Sequence, residues 1–494
     1  MNDTVLGIDV GTSSVKACLL DLKSGKAIAS SQSPIEGEIS LKTPRPGWAE
    51  QNPEDWWDHA VAAVQALGRT PGVDLSSCRA VGIAYQMHGL VVVRNQVVVR
   101  PAIIWCDSRA VESGELLASE YGRHNCLEHL LNLPGSFTAA SLRWLRDHEP
   151  DSLKGGATFM LPGDYLAFRL TGRMATTPSG LSEMILWDFQ AEGLSSSLLY
   201  LSTDDPTSVP EVVPTFGDQG SVSAEAAAAL GIPVGTPVTY RAGDQPNNAL
   251  SLGALDVGEV AATAGTSGVA YAVVRQKKAD PEGRVNTFLH VNHQPSDPRL
   301  GILLCLNGVG SLYSWVRRTL LPAGSFSDLN RLAGQAEPGS KGLTLYPWGN
   351  GGERLLRNQD PGASVAGLRF GIHGAPEIAL AAIEGICCAF RAGLDHMGKL
   401  GLEPKTFRVG KANLFQSELF AQTFADVTQC AVEFYKTDGA QGAARGAAFG
   451  LGATGTLREA MNGLSQLGLV EPRSGESGWA AELYDRWRKG IETL

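Results

Sequence analysis

Two carboxylates stand out for the residues that surround them. Asp9 lies in Gly7-Ile8-Asp9-Val10-Gly11-Thr12-Ser13-Ser14-Val15-Lys16, and Asp244 in Arg241-Ala242-Gly243-Asp244-Gln245-Pro246-Asn247-Asn248. Asp9 interrupts an apolar strand, where a carboxylate is costly unless it is paired, hydrogen-bonded or metal-bound. It either caps the next turn or serves a ligand there. A hydroxyl-bearing glycine turn, Gly11-Thr12-Ser13, follows it at once, and a second one, Gly265-Thr266-Ser267-Gly268, follows the apolar run at 260–264. Turns of this composition cradle phosphate oxygens with main-chain N–H groups and hydroxyls. Gly11 also lets the backbone approach a ligand closely. Lys16 either reaches a phosphate or points to solvent from the return strand.

Two further polar tips end apolar strands. Gln86-Met87-His88 follows Ala80-Val81-Gly82-Ile83-Ala84, and Asp107 and Arg109 follow Ile103-Ile104-Trp105. Asp107 and Arg109 pair with each other or line the same pocket as His88. A histidine at such a place is more often structural than a ligand. His290 and His293 lack nearby Cys or Glu partners, so no metal role is expected there. The eight cysteines form no Cys-x-x-Cys pair and read as reduced, buried thiols.

The elements that must position these groups read as α/β. Strand, glycine turn and return strand occur once in each half of the chain, which predicts a duplicated domain with a cleft between the copies. Asn52, Pro53, Glu54 and Asp55 predict a helix start, and the helix is placed at 53–67. Further helices are placed at 110–121, 139–149, 306–318 and 376–398, with another starting near Asn413. Residues 175–220 read as loops and short helices, 280–300 as an insertion or hairpin, and the last thirty residues as an exposed helix. At 494 residues, two to four domains are expected. A net charge of −10 argues against nonspecific binding to nucleic acid or anionic membrane. With no signal-like start and no membrane-spanning run, the expected location is the cytoplasm.

Together these stretches resemble the FGGY carbohydrate kinases, and within them the xylulokinase group. The markers are residues 7–16, Trp48-x-Glu50-Gln51-x-Pro53-x-x-Trp56-Trp57, Gln86-Met87-His88-Gly89, Ile104-Trp105-x-Asp107-x-Arg109, Leu161-Pro162-x-Asp164-Tyr165-Leu166, Gly243-Asp244, Gly265-Thr266-Ser267-Gly268 and Gly352-Glu353-Arg354. The resemblance implies two actin/hexokinase/Hsp70-like (ribonuclease H-like) domains, residues 1–245 and 246–494, with the active site between them. It implies ATP-dependent phosphorylation of D-xylulose to D-xylulose 5-phosphate, a step of xylose metabolism, with Mg²⁺. Asp244 is the implied general base and Asp9 its catalytic partner, both near the metal. Gln86, Met87, His88, Asp107, Asp244 and Gln245 are implied on the sugar. Gly11, Thr12, Ser13, Lys16, Gly265, Thr266, Ser267, Gly351, Gly410 and Asn413 are implied on the nucleotide. The partners are then a sugar and a nucleotide, with a homodimer left open.

The chain departs from the family pattern at several places, among them Ser141 where a Lys is usual and a shortened segment between Gly371 and Glu377. Tyr85 stands where the family often has Gly, adding bulk beside the pocket. Arg241-Ala242 and Gln245-Pro246 flank the base where many members have Gly-Gly-Gly-Asp-Asn-Ala. Val409-Gly410-Lys411-Ala412-Asn413 replaces the usual adenine-side glycines. The alternatives are a kinase for D-ribulose, L-ribulose, sedoheptulose or another polyol, an actin- or Hsp70-like nucleotide-operated binding protein, and an inactive sugar-binding regulator. The chain lacks a peptide-binding domain and keeps both aspartates, which disfavours the last two.

Overall fold

The computed structural model describes residues 3–473 and 477–491. The first apolar run is β1 (Thr4–Val10), which turns at 11–14 into the antiparallel β2 (Val15–Asp21) and then β3 (Ala27–Ser33). Helix α1 (Pro53–Gly68) starts at Asn52, whose side-chain oxygen accepts from the Glu54 N–H. Strands β4 (Cys78–Tyr85) and β5 (Val238–Gly243) complete a sheet of order β5-β4-β1-β2-β3, with β1, β4 and β5 parallel. The long excursion between β4 and β5 contains α2 (Pro162–Thr171) and α3 (Pro178–Glu183).

Helix α4 (Asp244–Ser251) leads into a second sheet. Its strands are β6 (Glu259–Ala264), β7 (Gly268–Val274), β8 (Asn286–Leu289), β9 (Leu300–Leu306), β10 (Thr406–Gly410), β11 (Ala431–Lys436) and β12 (Ser465–Val470). The order is β8-β9-β7-β6-β10-β11-β12. Within it, β9-β7-β6 is an antiparallel meander and β6-β10-β11 is parallel. That repeats β3-β2-β1-β4-β5 strand for strand, so the duplication expected from the two glycine turns is present in the topology. Strands β8 and β12 are additions at the edges.

The predicted boundary at 245/246 falls in the first turn of α4. The chain also crosses back. After helices α5 (Val309–Leu320) and α6 (Ala375–Lys399), helix α7 (Gly439–Gly450) leaves the second sheet and lies on the first. Its small residues allow this. A Cβ on Gly7 would stand 1.9 Å from the Ala440 carbonyl oxygen, and one on Gly82 2.0 Å from that of Ala443.

Three expectations need correction. The helix placed at 306–318 begins at Val309, because the pairing of β9 with β7 runs through Leu306. The helix expected near Asn413 is present but starts at Glu418 and runs to Thr428, and Asn413, with its positive φ, opens a separate 3₁₀ turn, Asn413–Gln416, ahead of it. The C-terminal stretch is not one exposed helix. It gives β12 and then α8 (Ser477–Ile491), which buries Ala480, Leu483, Tyr484 and Trp487. Among the described residues no helix is long and apolar enough to cross a membrane.

Candidate active site

The parallel strands β1 and β5 carry Asp9 and deliver Asp244. Asp9 is directly opposite Lys16 in the β1–β2 register. Its other side meets the start of α7, where a Cβ on Gly439 would lie 2.2 Å from Oδ2. Asp438 caps that helix, accepting from the Gln441 N–H at 2.9 Å. Burial raises the Asp9 carboxyl to about 6; Lys16 opposes the rise and Asp438 adds to it. Asp244 opens α4. Burial raises it to about 7, the charge of Asp9 adds to this, and the Gln245 amide, 3.3 Å from Oδ2, opposes it. Asn247 donates to the Gly439 carbonyl at 2.9 Å and so ties α4 to α7.

Two buried acids, the charge of Asp9 raising the proton affinity of Asp244, form a site that a hard divalent cation would relieve. Among the described residues no cluster of three or more His, Cys, Asp or Glu is placed to hold a metal by itself. A pair of carboxylates is the kind of donor set that Mg²⁺ takes, completing its shell with water and phosphate oxygens.

The loop after β4 is wired into the first glycine turn. The Gln86 N–H donates to the Val10 carbonyl at 2.7 Å. Its side chain accepts from the Thr12 hydroxyl at 3.1 Å and donates to Gln51 at 2.9 Å. Gln86 is 2% exposed, so it links the two loops rather than offering a free amide to a sugar. Trp105, 55% exposed, donates its indole N–H to the Thr12 hydroxyl at 2.9 Å. His88 has φ +63° and donates from Nδ1 to the Glu183 carbonyl at 2.8 Å. Its ring centroid lies 4.3 Å from that of Phe137 and 5.4 Å from that of Phe288 on β8. Burial pushes the imidazole down to about 4. A neutral ring with its proton on Nδ1 leaves Nε2 as a hydrogen-bond acceptor.

Asp107 is not a free pocket ligand. Its oxygens accept from the Ala49 N–H at 2.6 Å, the Arg109 N–H at 2.8 Å and the Arg109 guanidinium at 2.7 Å. The Arg109 guanidinium in turn lies 3.7 Å above the Trp48 ring. Tyr85 does not add bulk to the cleft either. It is fully buried, with its ring against Gly163, where a Cβ would be 2.0 Å from Cδ1. Its hydroxyl donates to the buried Glu183, whose carboxyl burial holds well above the usual range. Arg241 turns from the cleft to a buried ion pair with Asp164, Nε to Oδ1 3.0 Å.

The second glycine turn opens on a cavity of about 850 Å³, a size suited to a nucleotide. Gly265, Thr266 and Asn413 line it, together with Gly310, Ser311, Tyr313, Ser314, Phe326 and Asn350. The N-terminal turn of α5 is bonded to the glycine turn, Gly310 N–H to Gly265 O at 2.9 Å and Ser311 N–H to Thr266 O at 3.2 Å. Ser267, Gly351 and Gly410 are outside the cavity wall. Ser267 is half-buried beside Thr266, Gly351 sits in an exposed turn beside Asn350, and Gly410 ends β10 ahead of Asn413. Gly11, Thr12, Ser13 and Lys16 belong to the other half of the molecule and do not line this cavity. Sequence reasoning missed the α5 residues, Glu183 and Phe288. The small residues Gly308, Gly310 and Ser311 after an apolar strand were the one readable signal.

The FGGY family of carbohydrate kinases matches twice, by its N-terminal domain over residues 4–251 and by its C-terminal domain over residues 260–453. The xylulose kinase of Escherichia coli (strain K12) is 31% identical over 447 residues, 90% of this chain and 88% of that protein. The solved xylulose kinase of Rhodospirillum rubrum superposes with a TM-score of 0.88 at 26% identity, over 99% of both chains. A gluconate kinase structure from Lactobacillus acidophilus gives a TM-score of 0.89 at 22% identity, over 100% of this chain and 98% of that one, a likeness of fold.

Proposed function

This chain belongs to the FGGY family of carbohydrate kinases, with its two-domain actin-like α/β fold, and we propose that it transfers the terminal phosphoryl group of ATP to D-xylulose, giving D-xylulose 5-phosphate. The observation that carries the phosphoryl-transfer chemistry is Asp244. It is a carboxylate of raised proton affinity at a strand end, facing the charge of Asp9 and next to the Gln86–His88 loop. The choice of D-xylulose rests on the likeness to the Escherichia coli enzyme over most of both chains.

A sugar hydroxyl is a weak nucleophile, and Asp244 accepts its proton as the O–P bond forms. The affinity that burial gives this carboxyl suits it to the task near neutral pH. His88 accepts a hydroxyl hydrogen at Nε2 and orients the sugar, while Met87 supplies apolar contact. The turns at 11–13 and 265–267 hold phosphate oxygens from the two sides, and Lys16 adds positive charge. Asp9 and Asp244 would hold Mg²⁺, which neutralises phosphate charge when bound. The bond from the transferred phosphorus to the ADP oxygen breaks as the new one forms, and the proton leaves with Asp244.

The test is ADP release with Mg²⁺ and ATP against D-xylulose, D-ribulose, L-ribulose, L-xylulose, sedoheptulose, gluconate and glycerol. The highest kcat/KM is expected with D-xylulose. Preference for another acceptor would replace the substrate and keep the chemistry; no turnover with any of them would remove the reading. Asp244→Ala is expected to lower kcat by about 10³-fold, within the range of general-base contributions, while still binding ADP and sugar. Near wild-type turnover by that variant would remove Asp244 as the base.

A further inference from the structure

Glu183 ends α3 in a stretch that carries no recognisable motif, yet it meets Tyr85, His88 and the face of Gly243. Its carboxylate accepts from the Tyr85 hydroxyl, and the His88 main-chain N–H also faces that carboxylate. Its own main-chain carbonyl accepts from His88 Nδ1 at 2.8 Å. The same side chain lies behind Gly243, where a Cβ would be 2.8 Å from Oε2, with Met87 Cγ 2.5 Å from the same point. Tyr85 and Gly243 are partners in the β4–β5 register, so Glu183 spans the ends of both strands. One strand end continues into the Gln86–His88 loop and the other into Asp244. The preceding residue, Ser182, accepts from the Leu289 N–H of β8 at 2.9 Å, which anchors α3 to the second domain.

We propose that Glu183 is a positioning residue for phosphoryl transfer, holding the acceptor loop and the Gly243–Asp244 turn in register through Tyr85, His88 and the face of Gly243. It does not reach the cleft, being 1% exposed. Its main-chain carbonyl fixes the tautomer of His88, and its side chain, the part the substitutions below remove, fixes the backbone of the 85–88 loop and the place of Gly243 and Asp244. The proposal rests on the reading of Asp244 as base and of the 86–88 loop as acceptor site. Displacement of either by about 1 Å is enough to cost on the order of 100-fold in rate.

The experiment compares full-length wild type, Glu183→Ala, Glu183→Gln and Tyr85→Phe, with whichever acceptor the wild type turns over best. Glu183→Ala is expected to lower kcat/KM for the acceptor by about 100-fold, with the KM for ATP and the affinity for ADP within twofold of wild type. Glu183→Gln keeps an oxygen for Tyr85 and the same volume, and is expected to recover kcat/KM to within about fivefold of wild type, the residue of one weakened hydrogen bond. Tyr85→Phe removes one hydroxyl and is expected to raise the acceptor KM, not the ATP KM. It decides the matter if Glu183→Ala does not fold. Wild-type acceptor kinetics in Glu183→Ala, or in Tyr85→Phe where Glu183→Ala is unfolded, would overturn the proposal. So would an equal rise in the KM for ATP and the KM for the acceptor. A wild type without turnover would instead remove the acceptor reading, and this role with it.

Discussion

At the scale of single residues, the acceptor side is governed by which atoms are already spent. Thr12, Gln51 and Val10 consume Gln86, and Arg109 and Ala49 consume Asp107. His88 keeps Nε2 free. His88→Asn retains a donor where Nδ1 stood and loses Nε2, so the acceptor KM should rise about tenfold, the worth of one hydrogen bond, with the ATP KM unchanged. An unchanged acceptor KM would show that Nε2 touches no sugar. The paired aspartates also set a pH dependence. Both have proton affinity raised in the folded state, so their contribution to stability is fully present below the unfolded carboxyl range and is lost as pH rises through about 6 and about 7. The melting temperature of metal-free protein should therefore fall between pH 5 and 8. Asp244→Asn, neutral throughout, should flatten that decline, and Mg²⁺ with ADP should raise Tm more at pH 8 than at pH 5.5. A Tm that climbs over this range in the metal-free protein, equally in the variant, would contradict the assignment.

At the scale of elements, the glycine turns were legible because two rules coincide there. A strand buried on both faces is a continuous apolar run, and a tight turn near a ligand needs small, hydroxyl-bearing residues. Asp9 was legible as an acid where an acid is costly, and Asp244 as a carboxylate directly after Gly243. The direction of Tyr85 was not, because its face of β4 is decided by the backbone of α2, with Gly163 leaving the room. Glu183 was not legible either, since its partners Tyr85 and His88 lie far back in sequence. The small residues of helix α7 stand plainly in the sequence, but which element the helix packs on is a matter of topology. Its contact is close enough to test. Gly82→Ala sets a methyl 2.0 Å from the Ala443 carbonyl oxygen and should cost about 2 kcal/mol or more, as overpacking does. A urea midpoint equal to wild type would mean that α7 slides freely on the first sheet.

At the scale of the whole molecule, the two domains are joined at both ends of the cleft. Helices α4 and α7 join them at the aspartates, through Asn247 and Gly439. At the acceptor end, β8 of the second domain is held by Asn132 of the first. Asn132 donates to the Thr287 carbonyl at 2.6 Å and accepts from the Thr287 N–H and the Asn286 amide at 3.0 Å each, standing in for a strand neighbour. Phe288 from that strand packs on His88. Loosening the seam should admit water where the acceptor hydroxyl belongs. Asn132→Ala is expected to raise ADP release without sugar several-fold relative to kinase flux, measured in parallel reactions. An unchanged ratio would make the seam purely structural.

Trp105 has one more consequence. Of the ten tryptophans, only Trp105 and Trp315 are more than half exposed, at 55% and 51%. Trp105 is bonded to the first glycine turn. Trp315 lies on α5, one turn beyond Ser311 of the nucleotide cavity, and lines an adjoining cavity that shares Ser311 and Asn350 with it. The two water-accessible indoles thus stand one at the first glycine turn and one beside the cavity of the second, and the others are sheltered in the interior or partly so. The protein carries its own optical labels. Acrylamide quenching of intrinsic emission reads both positions, and Trp105→Phe leaves Trp315 to report the cavity beside the second glycine turn, without an attached dye or a coupled enzyme.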